Sequence, residues 1–204
     1  MGVALRLGLH LCVAHECRCG DKVDCWGQHA MVCKKAPARI SRHYAVNDII
    51  ARALTSAGVP VTKEPLGINP GNGKRPDGMT LVPWRGGKAL TWDATIVSSL
   101  AESYVALSSN GAGLAAEKAA SMKVEKYADL SAEYFFQPFA VESLGPVNSS
   151  AETFISDVGR RISAISAEPK EALFLWQRIS VCIQRFNSIL LHQSFVELPE
   201  EPDV

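Results

Sequence analysis

Five of the six cysteines of this 204-residue chain lie between Cys12 and Cys33, with two histidines among them. A disulfide-bonded secreted domain spreads its cysteines along the chain, whereas thiols and imidazoles within one short segment are typical of a zinc site. Two cysteines one residue apart, followed by His-x3-Cys, predict a structural zinc site with the ligands Cys17, Cys19, His29 and Cys33. Since so short a segment cannot build its own core, the metal is expected to stabilise it.

This pattern leaves alternatives open. The first two cysteines are closer than the spacing of about two to four residues that is common in zinc modules. Cys12, His15 and Cys25 are therefore substitute ligands, and a group of reduced cysteines without metal is the other reading. The sixth cysteine, Cys182, falls on an apolar helical stripe and is expected in a core.

Charge is distributed unevenly along the chain. Residues 1–90 carry 13 Lys and Arg against 6 Asp and Glu, and residues 91–204 carry 8 against 15, although the whole chain has no net charge. A basic first half points to an anionic partner, nucleic acid first of all. The predicted DNA contacts are Lys34, Lys35, Arg39, Arg42, His43 and Arg75. A solvated linker is the alternative for the basic stretch, and bracing of a neighbouring site is the alternative for Arg42 and His43.

Hydrophobic periodicity after the basic stretch predicts a mixed α/β domain, because helices flanking a mixed sheet are the natural packing for this order of elements. The predicted elements are a helix ending at Gly58, strands at 59–63, 79–82 and 89–97, a loop at 108–113, a helix at 114–130, a strand at 134–142 and two C-terminal helices. Neither a signal peptide nor a membrane span is expected. The protein is therefore predicted to be nuclear or cytoplasmic, not secreted, and not to act at a membrane.

Two aspartates stand where strands disfavour them. Asp77 opens the second predicted strand, and Asp93 lies in the middle of the third, between apolar neighbours. On antiparallel strands joined by the Gly86-Gly87 hairpin the two carboxylates could face each other. Because paired carboxylates repel, a bound divalent cation would account for them, and Mg²⁺ suits carboxylates together with a substrate phosphate. The alternative is a turn cap for Asp77 and an ion pair with an arginine for Asp93.

The order of these motifs resembles a known family. Pro76-Asp77, then an acid on the next strand, is similar to the restriction-endonuclease-like core of the PD-(D/E)XK type, with its order of helix, three strands, helix and strand. The preceding cysteine-histidine knuckle and Arg42-His43 narrow the resemblance to the endonuclease domain found at the C-terminus of non-LTR retrotransposon proteins. Thr95 stands where the wider family has lysine. In the narrower family a lysine comes from the following helix, where Lys123 and Lys126 lie three residues apart.

The resemblance implies a Mg²⁺-dependent endonuclease that hydrolyses phosphodiester bonds in DNA. It assigns the catalytic roles to Asp77, Asp93, Lys123 and Lys126. The implied Mg²⁺ ligands are Asp77, Asp93 and Glu64, the last from the end of the first strand. The implied partners are DNA, element RNA and a reverse transcriptase domain expected upstream in a full-length element.

The implied domains are a zinc module with a basic arm at 1–40, a nuclease domain at 41–195 and an acidic tail at 196–204. Two alternatives to a working nuclease stay open. One is a zinc-stabilised nucleic-acid-binding remnant that has lost catalysis, and the other is a decayed remnant with no function.

Overall fold

A computed structural model describes residues 2–68 and 75–195 of the chain. The predicted acidic tail at 196–204, and the part of the 67–74 loop from residue 69 onward, lie outside the described residues. In chain order the elements are α1 (Gly2–Arg6), β1 (His15–Glu16), β2 (Lys22–Val23), α2 (Gln28–Val32), α3 (Ala38–Ser56), β3 (Val61–Lys63), β4 (Gly78–Arg85), β5 (Lys88–Val97), α4 (Glu102–Asn110), α5 (Leu114–Lys126), a 3₁₀ turn (Ala128–Ala132), β6 (Phe135–Glu142), α6 (Ser149–Ser166) and α7 (Glu171–His192).

A four-stranded mixed sheet with the strand order β3-β4-β5-β6 forms the centre of the fold. The strands β3, β4 and β5 are antiparallel neighbours, and β6 runs parallel to β5. A parallel pair needs a crossover connection, which α4 and α5 supply between β5 and β6. The predicted mixed α/β class is therefore confirmed.

The alternation of side chains along β5 separates two cores. Leu90, Trp92 and Ala94 are fully buried on one face, against apolar residues of α3, α6 and α7. Val97, on the opposite face, packs with Ala140 of β6 and with four alanines of α5. Alanine side chains let α5 lie close to the sheet, which brings the polar side chains at the end of this helix near the strands.

The connection between β5 and β6 differs from the prediction. Residues 108–113 were expected to form a loop, but α4 extends to Asn110, so the loop is shorter and a second helix precedes α5. Serine and asparagine are weak helix formers and do not break a helix as proline does, so a run of them permits a last turn. The helix predicted at 114–130 ends at Lys126 and continues as the 3₁₀ turn.

The N-terminal segment packs against the end of α7. Met31 of α2 and Val23 of β2 are buried together with Leu190 and Leu191. Arg6 of α1 also donates hydrogen bonds to the carbonyl oxygen of Leu144. The cysteine-rich segment therefore shares a hydrophobic core with the C-terminal helix of the chain. Within residues 2–68 and 75–195, no helix combines the length and apolar character needed to cross a bilayer.

The close packing of α6 on α7 generates a stability prediction. A methyl group added at Gly159 would overlap the backbone of Ala172. We expect Gly159→Ala to lower the free energy of unfolding by about 1–3 kcal/mol, because overpacking outweighs the gain in helix propensity. Urea unfolding measures the change. The exposed Ser156→Ala on the same helix is the matched control and should stay within about 0.5 kcal/mol of the wild type.

Candidate metal centre and carboxylate site

The four predicted zinc ligands converge near the N-terminus. Their ligand atoms all lie within 4.8 Å of one another. Cys17 Sγ lies 3.9 Å from Cys33 Sγ, and Cys19 Sγ lies 3.1 Å from His29 Nε2. Sulfurs about 2.3 Å from a central ion at the corners of a tetrahedron would be about 3.8 Å apart. The cluster could therefore hold a metal ion, and its thiol and imidazole donors are consistent with zinc.

Two glycines shape the segments that carry these ligands. Gly20 has a φ of +95° in the turn after β1, where its amide donates a hydrogen bond to the carbonyl of Cys17. Gly27 has a φ of +67° and precedes α2. His29 lies on that helix and Cys33 follows it four residues later, which places both side chains on one side of a helical turn, as the His-x3-Cys spacing predicted.

Two of the substitute ligands, Cys12 and His15, have other partners, and Cys25 does not belong to the cluster. Cys12 Sγ donates to the carbonyl of Asp24 at 3.3 Å. His15 Nε2 lies 2.8 Å from Ser194 Oγ, and its ring stacks on Phe195. Asp21, which sequence reasoning missed, has a carboxylate oxygen 3.3 Å from Cys19 Sγ and 3.9 Å from His29 Nδ1. A carboxylate behind a ligating histidine is a common outer contact at zinc sites.

A second polar cluster lies between β4 and β5. Gly78 is paired with Trp92 across these strands; Asp77 directly precedes Gly78 and Asp93 directly follows Trp92. The Asp77 amide donates a hydrogen bond to the Trp92 carbonyl at 2.9 Å. Asp77 Oδ2 accepts a hydrogen bond from the Ala94 amide at 2.6 Å and lies 3.0 Å from His43 Nε2. This contact raises the pKa of His43, mainly through the hydrogen bond to the carboxylate, against the opposing effect of burial.

Asp93 receives three side chains from the end of α5. Its side chain is nearly inaccessible, and its Oδ1 forms an ion pair with Lys123 Nζ. Lys126 Nζ lies 3.9 Å from Oδ2, and Tyr127 Oη donates to Oδ2 at 2.6 Å. Burial and the Asp93 carboxylate raise the pKa of Tyr127, which stays protonated as a donor. The structure thus brings Lys123 and Lys126 to Asp93.

Local sequence explains why the two strands hold this arrangement. A side chain at Gly78 would overlap the indole ring of Trp92, so glycine is required where β4 crosses this ring. Asn47 of α3 joins the same strands: its Oδ1 accepts a hydrogen bond from Trp92 Nε1 at 2.7 Å. Its Nδ2 donates to the carbonyl of Asp77 at 3.3 Å. Nothing in the sequence pattern singled out Asn47.

A buried carboxylate at the other end of α5 positions that helix. Glu142 Oε1 accepts hydrogen bonds from the amides of Ala115 and Ala116, at 3.1 and 3.4 Å, and Ser99 Oγ donates to Oε2. The positive end of the helix dipole favours an anion there. Glu142 was also missed, because the strand pattern around it is apolar.

The third predicted Mg²⁺ ligand, Glu64, lies at the edge of the cluster. Its amide donates to the Asp77 carbonyl at 2.9 Å, but its carboxylate binds Arg75 Nη2 at 2.6 Å. Its φ of +48° is strained for a residue with a side chain. Arg75 is exposed, as a DNA contact requires, and its carbonyl oxygen lies 2.8 Å from Tyr127 Oη.

One predicted DNA contact is wrong. Lys34, Lys35 and Arg39 are exposed, but Arg42 lies 3% exposed between α3 and α7, where Nη1 donates to Asn187 Oδ1 at 3.0 Å. Burial lowers the pKa of Arg42 to about 10, so the side chain remains a cation at neutral pH. Within α3, Arg42 is turned inward, where it joins this helix to α7, while Arg39 is exposed.

The sequence matches no protein-family model and no curated protein.

The cysteine–histidine cluster generates a second prediction. Purified protein should contain one zinc ion per chain, and His29→Ala or Cys33→Ser should remove it. We expect either variant to lose at least about 3 kcal/mol of stability, because structural zinc contributes about 10–16 kcal/mol in zinc-finger peptides. Elemental analysis and thermal unfolding measure both effects. Cys25→Ser is the matched control and should retain zinc; a wild-type protein free of zinc contradicts the prediction.

The His43–Asp77 contact generates a third. In protein without added divalent ions, the pKa of His43 should lie above its ordinary value of 6.5. A raised pKa means that this contact stabilises the fold fully below pH 6.5 and that the contribution is lost as the pH rises through the raised value. NMR titration of the imidazole measures the pKa. Asp77→Asn should bring it back toward 6.5, whereas the control Glu64→Gln should leave it raised.

Proposed function

We propose that this chain is the metal-dependent DNA endonuclease domain of a retrotransposon-derived protein, which nicks target DNA by hydrolysing a phosphodiester bond. The observation that carries the proposal is the buried Asp93, which receives Lys123, Lys126 and Tyr127 on the strand that pairs with the one Asp77 precedes. Carboxylates and lysines gathered at one point are the groups that bind a divalent cation and a phosphate.

The two carboxylates suit a hard divalent cation such as Mg²⁺. Both hydrogen bonds of the Asp77 carboxylate reach Oδ2, and among the described residues none reaches Oδ1. That oxygen and the Asp93 carboxylate are the atoms that would hold the ion. When bound, the ion would polarise the scissile phosphate and lower the pKa of an attacking water. Glu64 would join them only by giving up its contact with Arg75.

The lysines and Tyr127 then have distinct tasks. Tyr127 fixes the orientation of Asp93 by donating its one hydroxyl proton to Oδ2. Lys123 balances the charge of Asp93 in the absence of a cation. A bound cation takes over that balance, which leaves the Lys123 ammonium to orient the attacking water or offset charge on the phosphate. Lys126 donates to Tyr127 Oη at 2.9 Å and is the second candidate for this role.

The exposed cations of the first half support DNA as the partner. Lys34 and Lys35 precede α3, Arg39 lies on its first turn, and Arg75 lies next to the Asp77 loop. Contacts from these side chains to backbone phosphates would release counterions and make binding salt-sensitive. The other proposed partners are element RNA and a reverse transcriptase domain upstream in a full-length element. Zinc is the proposed structural metal of the N-terminal segment.

A second candidate function is DNA binding without cleavage. Two observations favour it: Thr95 replaces the lysine of the wider family, and the Asp93 carboxylate is fully balanced by side chains of the chain itself. A carboxylate whose charge is already paired binds a cation less tightly, because the cation must displace the existing partner. The zinc segment and the exposed lysines would serve this function equally well.

Plasmid nicking by the zinc-loaded chain in Mg²⁺ tests the proposal. Asp77→Asn and Asp93→Asn should each slow nicking by at least about 100-fold, because each removes charge that would hold the cation and stabilise the transition state. Either Lys123→Ala or Lys126→Ala should slow nicking at saturating Mg²⁺, and the exposed Lys118→Ala of the same helix is the matched control. Persistent nicking by Asp77→Asn would contradict the assignment. Wild-type protein that shifts DNA on a gel and never nicks it would favour binding alone.

A further inference from the structure

Two large apolar side chains lie exposed on α3 beside the carboxylate site. Tyr44 is 55% exposed and Ile40 is 65% exposed. They are four residues apart, so they are neighbours on one side of the helix. Neither belongs to a hydrophobic cluster of the described residues. The pair therefore forms a small apolar surface, which we call the Tyr44 surface.

The Tyr44 surface adjoins the proposed site through one ring. The Tyr44 ring lies edge-on to the His43 imidazole, with the centroids 5.8 Å apart and the planes at 74°. His43 Nε2 in turn lies 3.0 Å from Asp77 Oδ2. A single imidazole thus separates an exposed phenol ring from the carboxylate that we place at the scissile phosphate.

Charge around the Tyr44 surface favours an anionic ligand. Arg39 directly precedes Ile40 and is exposed, as are Lys34 and Lys35 at the start of the same segment. The acids of the adjoining segments are already paired. Asp48, one turn after Tyr44, binds Arg52 and Lys63, and Glu64 binds Arg75. A ligand that fits this surface combines negative charge with a flat apolar face, and a nucleotide has both.

We propose that Tyr44 stacks on an unpaired base next to the phosphate that the carboxylates act on, with Ile40 packing beside it. The position of the phosphate in this inference rests on the proposed function, and the position of the base rests on the Tyr44 surface. In a continuous duplex the bases already stack on one another, with about 3.4 Å between neighbours on a strand. A phenol ring can reach a base face only where that stacking is interrupted. The substrate class is accordingly DNA with an unstacked base at the cleavage position.

Binding of two oligonucleotide duplexes to the zinc-loaded full chain, without added Mg²⁺, tests the inference. One duplex carries a single unpaired 2-aminopurine, and the other carries the same base paired with thymine. The wild type should bind the unpaired-base duplex about tenfold more tightly and quench its fluorescence, as expected for stacking on an aromatic ring. Tyr44→Ala should remove most of that preference, and Tyr44→Phe should keep it.

Ile165→Ala is the matched control. Ile165, near the end of α6, is also largely exposed. Its side chain lies near Gly58, just after the end of α3, whereas Tyr44 lies in the first half of that helix. This variant should bind both duplexes as the wild type does. Because Tyr44 is more than half exposed, Tyr44→Ala should retain the melting temperature of the wild type. Ile40→Ala should weaken the preference by a smaller factor.

The outcomes separate this inference from the proposed function. Equal binding of both duplexes by the wild type, or an unchanged preference in Tyr44→Ala, overturns the Tyr44 surface even if nicking depends on Asp77. Fluorescence quenching that requires Tyr44, in a protein that never nicks DNA, supports the Tyr44 surface and overturns the hydrolysis alone.

Discussion

The buried carboxylate of Asp93 constrains the arrangement around it. An unpaired charge in an apolar interior costs several kcal/mol, so a carboxylate in the middle of a central strand requires partners. Lys123 and Tyr127 supply them from the end of α5. Glu142 binds the amides at the beginning of the same helix. Two buried carboxylates therefore hold α5 at both ends, and its alanine-rich face allows the close approach to the sheet.

On the sheet face opposite Asp93, the Trp92 side chain holds β4 and β5 together by apolar packing and a hydrogen bond. The indole ring of Trp92 lies under Gly78, and its Nε1 donates to Asn47 of α3. This packing keeps β4 and β5 in the register that pairs Gly78 with Trp92, the chain neighbours of Asp77 and Asp93. Apolar packing on one face of the sheet thus sets the spacing of the charged groups, which no attraction between two carboxylates could do.

The cysteine-rich segment and the helix α7 depend on each other. The buried residues of α2 and β2 pack against Leu190 and Leu191 of α7. The Ala38 amide at the start of α3 donates to Gln193 Oε1, just after α7. If the cluster binds a metal, its removal would loosen α2 and expose the end of α7. Since α7 also packs on α3, a disturbance at the cysteines would reach the helix that carries His43 and Tyr44.

Local spacing in the sequence was enough to identify the Cys17, Cys19, His29 and Cys33 cluster that could hold a metal ion, the faces of β5 and the shared side of Lys123 and Lys126. Turns, strands and helices fix the relative directions of side chains a few residues apart, so such patterns can be read without the fold. The direction of Arg42, the pairing of Glu64 with Arg75, and the roles of Asn47, Tyr127 and Glu142 were decided only by the tertiary structure. These contacts join residues far apart in the chain, and their geometry depends on how helices pack against the sheet, which local spacing does not encode.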